Sequence, residues 1–568
     1  MNILGISAYY HDSAAAIIVD GCIIAAAQEE RFTRVKHDSS FPIEACKYCL
    51  AEAKLTLNDI DKVVFYEKPF IKFERILETH IRVAPKSIKT FLKTMPIWLK
   101  TKLNMRKLLK KELSVLGKYN GMIFFSEHHL SHAAFAYYTS EFLDSIILTI
   151  DAVGEWTTTS VIYGKNNKLE IIKEQHFPDS IGMLYSAFTY FLGFKVNSDE
   201  YKLMGLAPYG DKLSEQTQKF IKLIEKNIVD ISNDGSIILN MDYFAYEHSM
   251  VMINEKKWKE LFAIDKRREN SAITQSHKNL AFAIQFVLEK IIKLLCITLE
   301  GYSKNLCISG GTALNCSANG MLLKQSSFDA IYVPFSPGDA GAAIGAALFV
   351  YHSEEGKNER APNKSPYLGP MYTDSEIKRE VEKNNLKYEY IHDFPRLCDK
   401  TAKLISEGKI IGWFQDRMEF GPRALGNRSI LADPRIHNMK DKINRKIKFR
   451  ESFRPFAPIV LEEYSNDYFD LQIGSPYMMF TCTVKNNTLP AITHIDQSAR
   501  VQTVNREMNP KIHMLLNSFY KAYGCPVLLN TSFNVMGEPI VCSPQDALST
   551  FEKSGLDYCV IGNYLIKK

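Results

Sequence analysis

One pattern occurs twice in this chain, and it restricts the fold more than any other feature. An apolar strand at 2–7 ends in the polar turn Tyr10-His11-Asp12-Ser13; a second strand follows at 14–19, a hairpin turn at Asp20-Gly21, and a third strand at 22–28. The same succession returns later. A strand at 146–150 runs into the turn Asp151-Ala152-Val153-Gly154-Glu155-Trp156, then come a Thr-rich strand at 157–163, a hairpin at Asn166-Asn167 and a strand at 169–173. A unit of this kind used twice implies a duplicated, two-lobed α/β domain. Two glycine turns fit the scheme. Gly310-Gly311-Thr312-Ala313-Leu314-Asn315 follows a strand at 305–309, and Pro337-Gly338-Asp339-Ala340-Gly341 opens a helix of small residues that permit close packing. Backbone N–H groups at such turns suit a phosphate or a purine edge. Asp339 reads equally well as a helix N-cap.

Between the two copies lies Ser126-Glu127-His128-His129-Leu130-Ser131-His132-Ala133-Ala134-Phe135. Alanine and aromatic residues at helical spacing predict a helix over 127–138, with His128 and His132 on one face and their Cβ atoms about 6 Å apart. Two imidazoles so placed can share a metal ion, and the apolar strand ending at Asp151 can deliver a carboxylate to it. The other reading is helix surface and core. His129 points about 100° away from His128 and is expected to be structural.

At 568 residues the chain exceeds a single core, and roughly two to four domains are expected. The best linker is the charged stretch at 356–366, which separates a domain at 1–355 from one at 367–568. In the second, a helix at 397–407 and a strand at 410–414 precede Phe420-Gly421-Pro422-Arg423-Ala424-Leu425-Gly426-Asn427-Arg428. More arginines follow at Arg450, Arg454, Arg500 and Arg506, interleaved in part with Phe and Pro, and a strand ends in Asn530-Thr531-Ser532-Phe533-Asn534. Guanidinium groups bind phosphate and carboxylate bidentately, so this domain is expected to hold a small oxyanion. The formal charge of +6 is small for the length and dispersed, which disfavours nucleic acid and membrane surfaces as partners. No run of about 18 apolar residues and no signal-peptide pattern occurs, so a cytoplasmic protein is expected. Eleven cysteines, an odd number mostly in apolar runs, read as buried thiols. The one CxxC, Cys46 to Cys49, reads as a packing face. Segment 42–125 reads as helices around one short strand at 62–66, with a basic, Leu-rich insertion at about 85–117.

The duplicated pattern is that of the actin and sugar-kinase architecture, which holds nucleotide between its lobes. Taken with His11-Asp12-Ser13-Ala14-Ala15, Glu29-Glu30-Arg31-Phe32, the histidine segment, Met204-Gly205-Leu206-Ala207-Pro208-Tyr209-Gly210, the two glycine turns, the Phe420 to Arg428 loop and its continuation, and Asn530 to Asn534, it resembles the NodU/CmcH-type O-carbamoyltransferases of nodulation-factor and antibiotic biosynthesis. The resemblance covers nearly the whole chain. It implies an actin-like ATPase domain similar to the tRNA threonylcarbamoyl transferases, followed by an α/β domain resembling the YrdC fold. Implied with it is a reaction in which carbamoyl phosphate and ATP give carbamoyl-adenylate in the C-terminal domain, and the carbamoyl group then passes to a hydroxyl of a small natural-product or sugar acceptor, with AMP released. By the same resemblance His128, His132, Asp151 and Asp339 ligate Fe(II) or another divalent metal. His11 and Lys36 lie near the acceptor. Asp151, Ala152, Val153, Gly154, Gly182, Gly310, Gly311 and Asn315 hold nucleotide with Mg2+, and Arg423, Arg454, Arg500 and Asn530 bind carbamoyl phosphate.

An actin-fold small-molecule kinase would share the glycine turns but not need the arginine-rich domain or the histidine pair. A nucleotide-gated actin-like assembly protein would need neither. Transfer to tRNA is disfavoured by the charge, and hydrogenase-maturation carbamoyltransferases carry paired zinc CxxC motifs absent here. The acceptor's identity is not legible, and a homodimer is left open.

Overall fold

The structure is a computed structural model that describes residues 1–100, 102–357, 359–384 and 386–568. Thr101, inside the basic insertion, and Asn358, inside the expected linker, lie outside the described residues. The chain forms two compact units, Met1–Ala25 with Ser39–Lys364, and Ala26–Asp38 with Ser365–Lys568. The crossing at Lys364 falls in the charged stretch 356–366. The sequence reading assigned all of 1–355 to one domain, whereas Ala26–Asp38 counts with the second unit, for a physical reason. The Ala26 N–H donates to Leu368 O (3.2 Å), Arg31 to Gly421 O (2.8 Å), and Arg34 to Ile540 O (2.7 Å) and Pro539 O (2.9 Å).

The first unit repeats one topology. Strands β1 (Asn2–Ser7), β2 (Ala14–Val19), β3 (Cys22–Gln28), β4 (Lys62–Phe65) and β5 (Met122–Phe125) form a sheet in the order β3-β2-β1-β4-β5. Strands β6 (Asp144–Ile150), β7 (Thr157–Lys165), β8 (Lys168–His176), then, past the small ribbon β9 (Val229–Ile231) and β10 (Ile237–Leu239), β11 (Asn305–Ser309) and β12 (Ala330–Tyr332), form a second sheet in the order β12-β11-β6-β7-β8. In each sheet the leading strand is antiparallel to the next and parallel to the fourth. Counted within its own lobe, each sheet has the order 3-2-1-4-5, and each fifth strand leads into a helix: His128–Thr139 after β5, Asp339–Phe349 after β12. This is the duplicated actin-like α/β arrangement.

The two helices pack against each other so closely that only glycine fits at the contact. A Cβ on Gly345 would lie 1.8 Å from Ser131 O, and one on Gly341 would lie 2.7 Å from the Phe135 ring. Gly5 in β1 serves the same helix, since its Cβ would fall 1.9 Å from Ala343 O. β1 and β6 are apolar almost throughout and buried, as central strands with both faces covered must be. Cys46 and Cys49 are buried on the helix Ile43–Glu52, and none of the eleven cysteines is disulfide-bonded.

The second unit carries β13 (Lys387–Tyr390), β14 (Ile411–Phe414), β15 (Arg428–Ala432), β16 (Ala457–Leu461), β17 (Thr481–Thr483), β18 (Ser498–Arg500), β19 (Gln502–Val504), β20 (Val527–Ser532), β21 (Tyr558–Ile561) and β22 (Tyr564–Lys567). Eight of them make a mixed sheet in the order β13-β22-β21-β14-β15-β20-β16-β19, while β17 and β18 pair separately. β14 and β15, at its centre, and β16, next to the edge strand β19, are buried at every residue. Among the described residues no helix is long and apolar enough to cross a membrane.

Candidate functional site

The duplication explains why ligands distant in sequence meet. His128 and Asp339 are the first residues of the two equivalent helices, and the turns after β1 and β6 supply His11 and Asp151. One ligand atom each from His128, His132, Asp151 and Asp339 lies within 4.8 Å of every other. His128 Nε2 is 2.9 Å from Asp151 Oδ2 and 3.7 Å from Asp339 Oδ1; His132 Nε2 is 3.3 Å and 3.4 Å from the same atoms. The two Nε2 atoms stand 3.2 Å apart. Asp339 is not the N-cap of its helix, since Gly338 occupies that place and the carboxylate faces the cluster.

These residues fit a divalent cation. His132 Nδ1 donates to Pro337 O (2.9 Å), because a carbonyl oxygen can only accept, and the neutral ring therefore keeps its Nε2 lone pair for the cluster. Asp339 Oδ2 is buried with no hydrogen-bond partner among the described residues. Electrostatics point the same way. Burial works against charge on the His132 ring, yet the hydrogen bonds and charges of Asp151 and Asp339 outweigh it and hold the ring at about 9. Burial would raise the Asp151 carboxyl, but hydrogen bonds from His128 and His132 take it well below the usual carboxylate range. Two buried carboxylates thus demand positive charge, which a divalent ion supplies without protons. Two imidazoles and two carboxylates suit several first-row ions.

The surroundings hold this set in place. Glu155, buried, accepts from the His128 N–H (3.1 and 3.2 Å) and the Lys68 N–H (2.7 Å), which puts an anion at the start of the histidine helix. His129 is turned away and meets Ser160 Oγ at 2.9 Å, as expected. His11 Nδ1 lies 3.0 Å from Asp12 Oδ2, and His11 Nε2 lies 3.8 Å from Asp339 Oδ2. Burial lowers its affinity for a proton, but Asp339 and then Asp12 raise it to about 9.

The expected nucleotide residues gather around the same turn. Gly310 has φ +85°, and a Cβ there would strike Ile150 O at 2.3 Å; one on Gly182 would strike Asp151 O at 2.6 Å; one on Gly311 would sit 3.1 Å from Asp151 Oδ1. The Ala152 N–H donates to Asp151 Oδ1 (2.7 Å) and Ser180 Oγ donates to Ala152 O (2.6 Å), which fixes the run from Asp151 through Val153 to Gly154. Asn315 is spent elsewhere. Its amide pairs reciprocally with that of Gln285 (3.0 and 3.1 Å), and its oxygen also caps the helix Cys316–Gln325 by accepting from the Ala318 N–H (3.1 Å).

In the second unit the motif from Phe420 to Arg428 is a rigid loop. Glu419 Oε1 accepts from the N–H groups of Leu425 (2.7 Å), Asn427 (2.8 Å) and Arg428 (3.1 Å). Arg428 is fully buried, donates to the carbonyls of Pro370 and Asp416 (both 3.1 Å) and lies 3.6 Å from the Phe414 ring centroid, a staple rather than a ligand group. Asn530 donates to Ala424 O (3.1 Å) and Gln502 Oε1 (2.9 Å). Its Oδ1 and the Arg500 Nε are buried with no hydrogen-bond partner among the described residues. Arg423 and Arg454 are half-buried, and Arg454 Nη1 lies 3.6 Å from Glu451. The sequence reading missed Lys448. It is buried, donates to Ser532 O (2.5 Å), Asn534 Oδ1 (2.8 Å) and Asn534 O (3.1 Å), and is held well below the ordinary lysine range by burial and then by Arg450, Arg454 and Lys36. Its signal was present only as a lysine two residues before Arg450, in a run that reads as surface. Lys36, expected beside His11, belongs to the second unit and to this basic group.

Residues 2–348 match the family model described as "Carbamoyltransferase N-terminus", and residues 402–568 match "Carbamoyltransferase C-terminus". An uncharacterized protein of Synechocystis sp. is 47% identical over 100% of this chain and 97% of its own length. Nodulation protein NolNO of Sinorhizobium fredii is 37% identical over 99% of this chain and 79% of its own. Among solved structures, HypF of T. kodakarensis covers 64% of this chain and 49% of its own, at 12% identity and a TM-score of 0.31.

Proposed function

We propose, from the premise that this chain belongs to the carbamoyltransferase family, that it is an ATP-dependent O-carbamoyltransferase acting on a small-molecule hydroxyl. In this reading carbamoyl phosphate, ATP and water give carbamoyl-adenylate, phosphate and pyrophosphate in the second unit, which we take to be of the YrdC type, and the carbamoyl group then passes to the acceptor hydroxyl, whose proton is taken up as AMP leaves. The observation that carries it is the convergence of His128, His132, Asp151 and Asp339 within 4.8 Å, beside His11 and the glycine turns.

Those four residues would hold Fe(II) or another divalent ion, which when bound supplies Lewis-acid stabilisation of charge developing on carbonyl and phosphate oxygens. The chain's own groups do the rest. Nδ1 of His11 is fixed by Asp12, which turns Nε2 toward the cluster; once the Asp339 charge that raises the ring's proton affinity is offset by a cation bound there, Nε2 can take the proton of an acceptor hydroxyl. The backbone around Asp151, Gly182 and Gly310-Gly311 accommodates nucleotide, with Mg2+ on its phosphates. Arg500 Nε and Asn530 Oδ1, a buried donor and a buried acceptor, support a site for the phosphate and the amide of carbamoyl phosphate, with Arg423 and Arg454 adding charge.

The test is what becomes of the nucleotide. A reaction with ATP, carbamoyl phosphate and a panel of hydroxylated metabolites is expected to give AMP, and only when carbamoyl phosphate is supplied. ADP and a phosphorylated acceptor formed with or without it would establish an actin-fold kinase instead.

A further inference from the structure

A groove of about 670 Å³ opens in the first unit between the start of the helix Ile88–Lys100 and the segment 241–257, a size suited to a small ligand. It is separate from the metal cluster. The helix Pro69–Arg82 has 14 residues and spans about 20 Å. Next to its start the Lys68 N–H donates to Glu155 beside His128, and its last residue, Arg82, pairs with Glu247, the sequence neighbour of the groove-lining His248.

The groove combines exposed positive charge with exposed apolar surface. Four lysines line it, Lys86, Lys89, Lys93 and Lys257, against the single carboxylate of Asp242, which Lys257 already pairs at 2.8 Å. Among the described residues Lys86 acts on Asp242 only through space, Lys89 and Lys93 pair with no carboxylate, and these two are i and i+4 neighbours whose repulsion costs stability. Beside them lie Met250 and Val251, 79% and 39% exposed. The wall is not a loose loop. Thr90 Oγ1 donates to His248 O (2.6 Å), the Ala245 N–H to Met252 O (3.0 Å) and the Asn254 N–H to Tyr243 O (2.9 Å).

We propose that this groove binds an amphiphilic anion, with a phosphate held by Lys86, Lys89 and Lys93 and an apolar body lying against Met250 and Val251. Charge complementarity selects the head group, and the exposed Met250 thioether and Val251 side chain select the body. The proposal does not depend on carbamoyl transfer.

Calorimetric titration of the full chain tests it, with octyl phosphate below its aggregation threshold as the probe and with inorganic phosphate and octyl glucoside as its two halves. Octyl phosphate is expected to bind more tightly than either half. The triple variant Lys86→Ala, Lys89→Ala, Lys93→Ala should weaken it about tenfold, the combined effect of three partly solvated charge pairs, while melting as the wild type does. Should that variant fold poorly, Lys93→Glu alone should still weaken octyl phosphate and leave octyl glucoside untouched. Equal binding by the variants, equal binding of octyl glucoside, or binding only to phosphatidylglycerol vesicles would each overturn the proposal.

Discussion

His132 is fully buried, and its two ring nitrogens have separate duties: Nδ1 donates to Pro337 O, and Nε2 faces two carboxylates. Its replacement by alanine should therefore remove the metal and abolish carbamoyl transfer. Elemental analysis of the purified variant checks this, and a full complement of metal would refute the assignment. The same ring predicts a pH dependence for the metal-free protein. A histidine whose folded value lies at about 9, above its unfolded value, adds stability that is whole below about 6.5 and is lost as pH rises through 9. The loss should be at most ~3 kcal/mol, read as a melting temperature that falls across that window and stays flatter in His132→Ala. Metal should stabilise increasingly over the same window, since it needs the ring neutral. This ring was legible in the sequence because i,i+4 spacing survives translation into a helix unchanged. Lys448 was not, because burial of a lysine depends on Ser532 and Asn534, which the chain delivers from another strand.

The histidine helix and the helix Asp339–Phe349 can place His128 and Asp339 together only because Gly341 and Gly345 remove two side chains from their contact. Gly345→Ala puts a methyl group 1.8 Å from Ser131 O, where backbone must give way, so it should cost about 1–3 kcal/mol and weaken metal binding although residue 345 ligates nothing. Isothermal titration with Fe(II) or Mn(II), beside thermal melts, separates the two effects; unchanged metal affinity would show that the helix spacing does not set the site. Sequence reading found both helices and both hairpin halves of the lobes, since apolar periodicity and turn residues mark them. It placed β5 (Met122–Phe125) among helices and gave no strand at β12 (Ala330–Tyr332). Four and three residues are too few to show a period, and only the duplicated 3-2-1-4-5 order reveals that each lobe needs a fifth strand.

On the scale of the whole molecule, the proposed reaction is divided between two units. The first holds the cluster of His128, His132, Asp151 and Asp339 and the glycine turns; the second holds Arg454, Arg500, Asn530 and Lys448. That the strands of the first unit were readable while the intrusion of Ala26–Asp38 into the second was not has one cause. A hairpin is a local property, but Arg31 and Arg34 find their carbonyl partners at Gly421, Pro539 and Ile540, far along the chain. If adenylate formation belongs to the second unit, loss of a guanidinium there should stop it at its first step. Arg454→Ala should cut pyrophosphate release driven by carbamoyl phosphate on the order of 10²-fold, since a charge-assisted contact to a reacting anion is removed. His132→Ala, which acts only on the transfer step, should leave most of that release intact and lose carbamoylated product. Parallel assays of pyrophosphate and product on both variants decide the matter, because equal loss of pyrophosphate in the two would mean that adenylate formation itself requires the metal cluster, and the division into half-reactions would be wrong.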